Sequence, residues 1–151
     1  MKEIGLTTTE IMQGALVGVM RQVQNIRDRR QDKYGASNSK GWQLHIEGAL
    51  GEMALAKFLD LYWGGVGTFR GSDVGKSQQV RTRSRHNYEL VLHPDDDDEQ
   101  TYWLLTGTNG TYRVHGWLRG ADGKKDHYWK DPAGGRPAFF VPQSDLNKQE
   151  N

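Results

Sequence analysis

The segment 48–83 decides how this chain folds. It reads GALGE at 48–52, GSDVG at 71–75 and QVRTR at 79–83. The first piece predicts a helix, and because Gly48 and Gly51 each cost it about 1 kcal/mol in helix propensity, we expect another element to pack closely against them. The glycines of the second piece predict a turn, and the third piece predicts a short strand. The order places Glu52 on a helix and Asp73 at a turn, with a strand six residues later.

Two acids followed by a polar strand are suited to a divalent-metal site for phosphodiester chemistry. Mg²⁺ takes oxygen ligands, usually one or two carboxylates together with water and substrate phosphate. Asp73 and Glu52 can supply the carboxylates, and Gln79 can add a carbonyl oxygen. Arg81, a permanent cation two residues further along the strand, is suited to gripping a phosphate and cannot act as a base. Residue spacing alone supports equally well a structural role, in which Asp73 shapes the turn and Glu52 is an ordinary helical acid.

Glu47 is a second acid on the same helix, which is predicted to span about 42 to 62. Five residues separate it from Glu52, so the two side chains lie about 140° apart around the helix axis. They cannot easily point at one site. Glu52, which has small neighbours, is the better candidate for a metal ligand, and Glu47 is kept in reserve.

A long amphipathic helix precedes this segment. Thr7 and Glu10 have the spacing of a capping box, and the helix is predicted to continue to about residue 31. Its apolar residues recur at helical spacing and form one face: Ile11, Ala15, Leu16, Val19, Met20, Val23 and Ile26. That face can dock on a sheet or associate with a second copy of the chain, and the arginines are expected on the opposite face.

The rest of the chain is rich in strand patterns. Strands are predicted at about 66–69, 78–83, 88–93, 102–106, 112–118 and 138–142, with a hairpin turn at Asn109-Gly110. The acid run 95–99 is expected to be a solvated turn, and 120–136 a polar loop. No repeat or linker divides the chain, so residues 1–151 are expected to form a single domain.

Composition limits the classes of protein to which the chain can belong. It has no cysteine, which excludes disulfides and thiolate metal sites. Its 20 Lys and Arg balance 19 Asp and Glu, so nucleic-acid binding would depend on local basic clusters such as those at 21–33 and 81–85. It has no signal-peptide pattern and no apolar run of the roughly 20 residues that span a bilayer. We therefore expect a soluble, cytoplasmic protein that does not enter a membrane.

The order of helix acid, turn acid and strand dyad resembles the PD-(D/E)XK nuclease superfamily, and most of all its small members from phages and bacteria. The resemblance covers residues 42–146, since 112–118 and 139–146 are similar to the trailing strands of those proteins. It implies an α/β fold with a restriction-endonuclease-like core, in which a central mixed β-sheet is flanked by helices. Residues 1–35 would then be an N-terminal helical addition, and the cytoplasm would be that of a bacterial or phage-infected cell.

The resemblance also implies Mg²⁺- or Mn²⁺-dependent cleavage of DNA, by an endonuclease or a resolvase-like enzyme. Asp73, Glu52 and Gln79 would hold the metal, and Arg81 would stabilise the phosphate. The strand departs from the family pattern of an acid, any residue and then lysine, so one negative charge is lost at Gln79. The residues that follow the dyad are predicted to contact the nucleic-acid backbone: Thr82, Arg83, Ser84 and Arg85.

Two other functions remain open. A nuclease-fold protein that has lost cleavage would bind nucleic acid through its arginines but would show no metal dependence. A phage or bacterial accessory protein would use the apolar face of its first helix for oligomerisation, and a homodimer is compatible with all three hypotheses. His86, which closely follows the strand dyad, is a further candidate for substrate contact.

Overall fold

The computed structural model describes residues 2–28, 40–65 and 73–148 of the chain. These residues form an α/β fold with two β-sheets and three α-helices. The strands are β1 (Lys2–Gly5), β2 (Gln78–Arg83), β3 (Leu90–Leu92), β4 (Thr101–Thr108), β5 (Thr111–Arg119), β6 (Trp129–Lys130) and β7 (Ala138–Val141). The helices are α1 (Thr8–Arg27), α2 (Gly41–Leu59) and the short α3 (Gly120–Gly123).

The larger sheet is mixed. Its strands run in the order β1-β5-β4-β2, with β2 parallel to β4 and the other neighbours antiparallel. Asn109 and Gly110 join β4 to β5 with positive φ angles of 58° and 95°, the left-handed conformations that a tight hairpin turn requires. The predicted mixed sheet and the predicted hairpin are both confirmed.

The mixed sheet is covered by different layers on its two faces. On one face, Leu50 and Leu55 of α2 meet Val80 and Leu105 of the sheet in an apolar core. The second sheet, of order β3-β7-β6, covers the other face. Side chains from both sheets form a second core there together with Leu146: Leu90, Leu92, Tyr102, Leu104, Leu118 and Val141. The two long helices therefore lie on one face of the mixed sheet, and a second sheet covers the other. Both faces need a cover, because the side chains of β4 alternate between them and are apolar on both.

α1 begins with the predicted capping box. The Thr7 backbone N–H donates to the Glu10 carboxylate at 2.7 Å, and the Glu10 backbone N–H donates to Thr7 Oγ1 at 3.2 Å. The helix ends at Arg27, with Asp28 as its C-cap. The predicted extension towards residue 31 lies outside the described residues.

α1 packs on α2 through glycines rather than through its apolar face. A Cβ at Gly14 would lie 2.7 Å from the Leu50 side chain, and one at Gly18 would collide with the backbone of Ile46. These positions therefore allow the two helices to approach closely. Large residues of the predicted apolar face point to solvent instead: Leu16, Met20, Val23 and Ile26, together with Met12.

The sequence pattern does not predict β1, which pairs antiparallel with β5. The segment expected as an N-terminal addition is thus built into the central sheet. The predicted strand 66–69 lies outside the described residues, and 120–136, predicted as a loop, contains α3 and β6. Among the described residues there is no helix with the length and apolar character needed to cross a membrane.

Candidate functional site

Glu52 lies in α2 and is buried, with 8% of its surface exposed. Its carboxylate binds both terminal nitrogens of Arg21, since Nη1 donates to Oε2 at 2.7 Å and Nη2 donates to Oε1 at 3.0 Å. The Trp63 indole N–H also donates to Oε1, at 3.2 Å. A bidentate, charge-assisted pair of this kind fixes the orientation of both side chains. Arg21 therefore points into the protein, although the sequence pattern predicts arginines on the face away from the core.

Asp73 lies immediately before a tight turn that folds back on β2. Val74 and Gln78 exchange backbone hydrogen bonds of 3.0 and 3.2 Å, which places Asp73 beside the outer edge of the strand. Asp73 Oδ2 accepts the Val80 backbone N–H at 2.8 Å. The predicted turn is present, and its acid binds a backbone group at the edge of the sheet.

The surroundings of Asp73 favour its protonated form. Burial has the largest effect on its pKa, the negative charge of Glu52 adds to it, and together they raise the pKa from 3.8 to about 6. The Val80 N–H and the positive charges of Arg81 and Arg21 lower the pKa but do not cancel the rise. Neighbouring carboxylates with too little positive charge around them cannot easily both ionise.

The close approach of α2 to β2 depends on Gly51. A Cβ at this position would collide with the Thr82 side chain, so a larger residue would push the helix away from the strand. Two buried polar atoms near this contact, Thr82 Oγ1 and Arg21 Nε, have no hydrogen-bond partner among the described residues. The prediction that another element packs closely on the glycines of α2 is confirmed at Gly51 and wrong at Gly48, where a Cβ would meet no atom within 4 Å.

Gln79 and Arg81 lie on the other face of β2. Side chains alternate along a strand, and Val80 packs in the core under α2, so its two neighbours face the second sheet. Arg81 Nη2 donates to the Asp96 carboxylate at 2.6 Å. Its charge nevertheless lowers the pKa of Asp73. Glu52 and Asp73 are thus close enough for the charge of one to affect the pKa of the other. Arg81 also affects the pKa of Asp73, but its guanidinium binds Asp96.

Glu47, the reserve metal ligand, contacts a different part of the molecule. Its Oε2 accepts the Tyr112 hydroxyl at 2.5 Å, and its Oε1 accepts the Asn109 backbone N–H at 2.9 Å. Burial, followed by this contact with Glu47, raises the pKa of the Tyr112 hydroxyl above its ordinary value. Glu47 therefore fixes the β4–β5 hairpin against α2, while Glu52 faces Arg21.

The predicted backbone-contact residues divide into a surface group and a buried one. The Arg83 guanidinium lies 4.1 Å from the centroid of the Tyr88 ring, and that of Arg85 lies 5.9 Å from it. Ser84 is exposed beside them. The Thr82 hydroxyl is buried against α2. Ser84 and Arg85 are therefore placed to meet a ligand at the surface. Arg83 is only partly exposed and donates to the Glu89 backbone oxygen at 3.0 Å, and the Thr82 hydroxyl is buried.

The acid run 95–99 is a turn, as predicted, but its acids are paired with basic side chains. The pairs are Asp96 with Arg81 at 2.6 Å, Asp98 with Lys124 at 2.7 Å and Glu99 with Arg119 at 2.6 Å. The Lys124 ammonium also donates to the backbone oxygens of Pro94 and Asp96. The run therefore closes a structured loop beside the second sheet.

His86 belongs to a second polar chain. Its Nδ1 lies 2.7 Å from Thr106 Oγ1, which lies 2.5 Å from His115 Nε2. Burial, followed by the positive charge of Lys148, lowers the pKa of His115 to about 4, so this ring is neutral near pH 7. These three polar side chains link the loop after β2 to β4 and β5, so the contact of His86 with Thr106 is structural.

Sequence analysis does not single out Arg21 or Trp63 as partners of Glu52. One signal is available for Arg21, because it is the only charged residue between Glu10 and Arg27. A lone cation in a long uncharged helix is a candidate for pairing with a buried acid. The sequence contains no comparable signal for Trp63.

The paired acids are the part of this site that suits a small, hard cation. Within residues 2–28, 40–65 and 73–148, no three His, Cys, Asp or Glu side chains are grouped as a metal site. Asp73 and Glu52 can offer two carboxylates, and water and substrate phosphate commonly complete the coordination of Mg²⁺. Comparisons of the chain with protein-family models, curated proteins and solved structures give no match. Function must be inferred from the residues themselves.

Proposed function

We propose that this protein is a metal-dependent phosphodiester hydrolase that acts on DNA, with a restriction-endonuclease-like core. The observation that supports this proposal is the pair of acids Glu52 and Asp73, in which burial and the charge of Glu52 raise the pKa of Asp73 to about 6. A buried acid whose pKa is perturbed by a neighbouring charge is typical of functional sites.

The metal that we assign to these two carboxylates is Mg²⁺ or Mn²⁺. A hard divalent cation is commonly held by one or two carboxylates and keeps several water ligands. Asp73 and Glu52 would hold it, and the positive charge would offset the repulsion that contributes to the raised pKa of Asp73. A bound ion of this kind lowers the pKa of a water molecule and stabilises charge on a phosphate.

The neighbouring residues would orient the acids and the DNA. Arg21 holds Glu52 in a bidentate pair, and the Val80 N–H binds one oxygen of Asp73. Arg83 is the last residue of β2, and Arg85 is exposed just after it. Guanidinium groups are suited to phosphate contacts that position the duplex without reading its sequence.

A nuclease-fold protein that binds nucleic acid without cleaving it is the second candidate. It is favoured by one observation, since both oxygens of Glu52 already accept hydrogen bonds from Arg21 and Oε1 accepts another from Trp63. A metal ion would have to share these oxygens with an arginine. Gln79 faces away from Glu52 and brings no negative charge, so it would not compensate.

The test is incubation of the purified protein with supercoiled plasmid in Mg²⁺, in Mn²⁺ and in EDTA. We expect nicking that needs the metal and that falls by about a hundredfold or more in Asp73→Asn, because even the supporting partners of metal ligands contribute roughly 10- to 100-fold. Asp122→Asn is the matched control, since it removes an exposed acid from α3 and should leave nicking unchanged.

The same preparations distinguish the two candidates. Salt-sensitive binding to a DNA duplex without cleavage in either metal would favour the binding protein and reject the hydrolase. Cleavage that persists in Asp73→Asn would place the chemistry elsewhere in the molecule.

A further inference from the structure

The Arg21–Glu52 ion pair occupies most of the positions at which Glu52 could bind a metal. An ionised carboxylate has about four acceptor positions on its two oxygens. Oε1 accepts hydrogen bonds from Arg21 Nη2 and from Trp63, at 3.0 and 3.2 Å, and Oε2 accepts one from Arg21 Nη1 at 2.7 Å. Within the described part of the chain, one position on Oε2 remains, and it lies next to the guanidinium.

The charge of Arg21 also opposes a further cation at this place. Glu52 and Asp73 carry two negative charges when both are ionised, and the positive charge of Arg21 acts on both acids. Arg81 also acts on Asp73, but it binds Asp96. The two charges of a divalent cation, added to that of Arg21, would exceed the charges of the acids by one. Because Glu52 is only 8% exposed, water screens this repulsion weakly.

We propose that Arg21 is the resting counter-ion of Glu52, and that its guanidinium leaves Oε2 when a divalent cation binds the two acids. The side chain has an alternative partner, because Nη2 already lies 3.5 Å from the Gly65 backbone oxygen. The backbone of α1 need not move, since close contacts at Gly14 and Gly18 hold it against α2. The inference rests on the metal site of the proposed hydrolase, and it assigns control of the metal affinity of that site to Arg21.

An arginine that only orients a metal ligand would have the opposite effect on metal binding. Partners of metal ligands typically strengthen metal binding by roughly 10- to 100-fold, so their removal weakens it. Removal of a guanidinium that competes with the metal for Glu52 strengthens binding instead. The sign of the change in affinity therefore distinguishes a displaced arginine from an orienting one.

Titration of Mn²⁺ into the wild-type protein and into Arg21→Gln measures this sign, with unbound Mn²⁺ followed by electron paramagnetic resonance. Glutamine is uncharged but can still donate a hydrogen bond to Glu52. We expect the Mn²⁺ dissociation constant to fall by at least about tenfold, because a repelling charge and its bidentate hydrogen bonds are lost. Arg119→Gln is the matched control. It removes an arginine whose side chain is 51% exposed, and it should change the dissociation constant by less than about twofold.

Two further variants complete the experiment. Arg21→Gln combined with Asp73→Asn should lose the tighter binding, since one of the two carboxylates is gone. Arg21→Lys covers the case that Arg21→Gln fails to fold, because lysine keeps the positive charge but lacks the planar fork that binds both oxygens of Glu52. It should bind Mn²⁺ more tightly than the wild-type protein does, since it releases one of those oxygens.

The outcomes separate this inference from the proposed hydrolase, because plasmid nicking is measured independently. Mn²⁺ binding that is absent, unchanged or weaker in the two Arg21 variants would overturn the inference, whatever the wild-type protein does to plasmid. Tighter binding that survives Asp73→Asn would overturn it too, since the metal would then lie elsewhere. Tighter binding that depends on Asp73, without nicking by the wild-type protein, would support the inference and reject the hydrolase.

Discussion

The protein holds two groups of opposite charges, one on each side of β2, and they differ in how completely the charges are balanced. On the side of α2, the acids Glu52 and Asp73 lie near one buried arginine, and the pKa of Asp73 is raised to about 6. On the side of the second sheet, three acids of the run 95–99 each bind a base of their own.

The two groups differ in what it costs the protein to keep their charges. Two of these pairs, Asp98 with Lys124 and Glu99 with Arg119, keep at least one side chain more than half exposed, so their charges stay partly hydrated and the pairs cost little. The Asp96–Arg81 pair is more buried, but each of its charges has a partner. Buried acids that are not fully balanced are costly to keep, and such arrangements are found where the charges are used. The acid run, which looks more conspicuous in the sequence, is therefore the structural group, and the two separated acids are the candidates for chemistry.

Of the changes that test this difference, Arg21→Met should lower the free energy of unfolding the most. It removes the partner of Glu52 and leaves a buried carboxylate next to Asp73, so we expect a loss of about 3–5 kcal/mol in the free energy of unfolding at neutral pH. Urea unfolding followed by circular dichroism measures it. A loss below about 1 kcal/mol would mean that the pair is as weak as an exposed one and that the two groups of charges do not differ in kind.

The second largest change in the free energy of unfolding should come from pH, through the titration of Asp73. The folded-state pKa of Asp73, about 6, lies above its ordinary value of 3.8, so protonation favours the folded protein. The contribution is complete below about pH 3.8, and it is lost as the pH rises through 6. The loss is on the order of 3 kcal/mol, from 1.36 kcal/mol for each pKa unit.

Asp73→Asn isolates this contribution. Asparagine can still accept the Val80 N–H, but it does not titrate. The variant should therefore be more stable than the wild type at neutral pH, and the difference should shrink as the pH falls towards 4. Unfolding measured across this range would contradict the prediction if the two proteins changed in parallel.

Arg119→Met should have the smallest effect. The side chains of Arg119 and Glu99 are 51% and 77% exposed, so their ion pair should contribute no more than about 1 kcal/mol to the free energy of unfolding. The same urea experiment measures it and provides the matched control for Arg21→Met. A loss as large as that of Arg21→Met would show that the acid run is as important for stability as the buried group.

The parts of the fold that depend on local signals could be predicted from the sequence. The capping box at Thr7 and Glu10, the turn at Asp73 and the hairpin at Asn109 each depend on residues close together in the chain. Gly51 of α2 also indicates a close packing contact, whose partner is Thr82, whereas Gly48 has no such neighbour. Alternation along β2 correctly placed Val80 on one face and Arg81 on the other.

The parts that depend on distant residues could not be predicted in the same way. Arg21 and Glu52 are 31 residues apart, and nothing in a local pattern fixes which acid an arginine will meet. Alternation separates Val80 from Arg81, but it does not say which face lies under α2, so the dyad was expected on the face of Glu52. The sequence pattern does not predict β1 for the same reason, because its partner β5 begins 106 residues beyond the end of β1 (111 minus 5).

Gly51 has a consequence for how relatives of this protein could be recognised. The contact between this glycine and Thr82 belongs to the packing of α2 on β2 and not to any reaction. A descendant that lost Asp73 and took up another activity would still need a residue without a side chain at this place. Across large evolutionary distances, Gly51 should therefore be a better marker of common ancestry than Asp73.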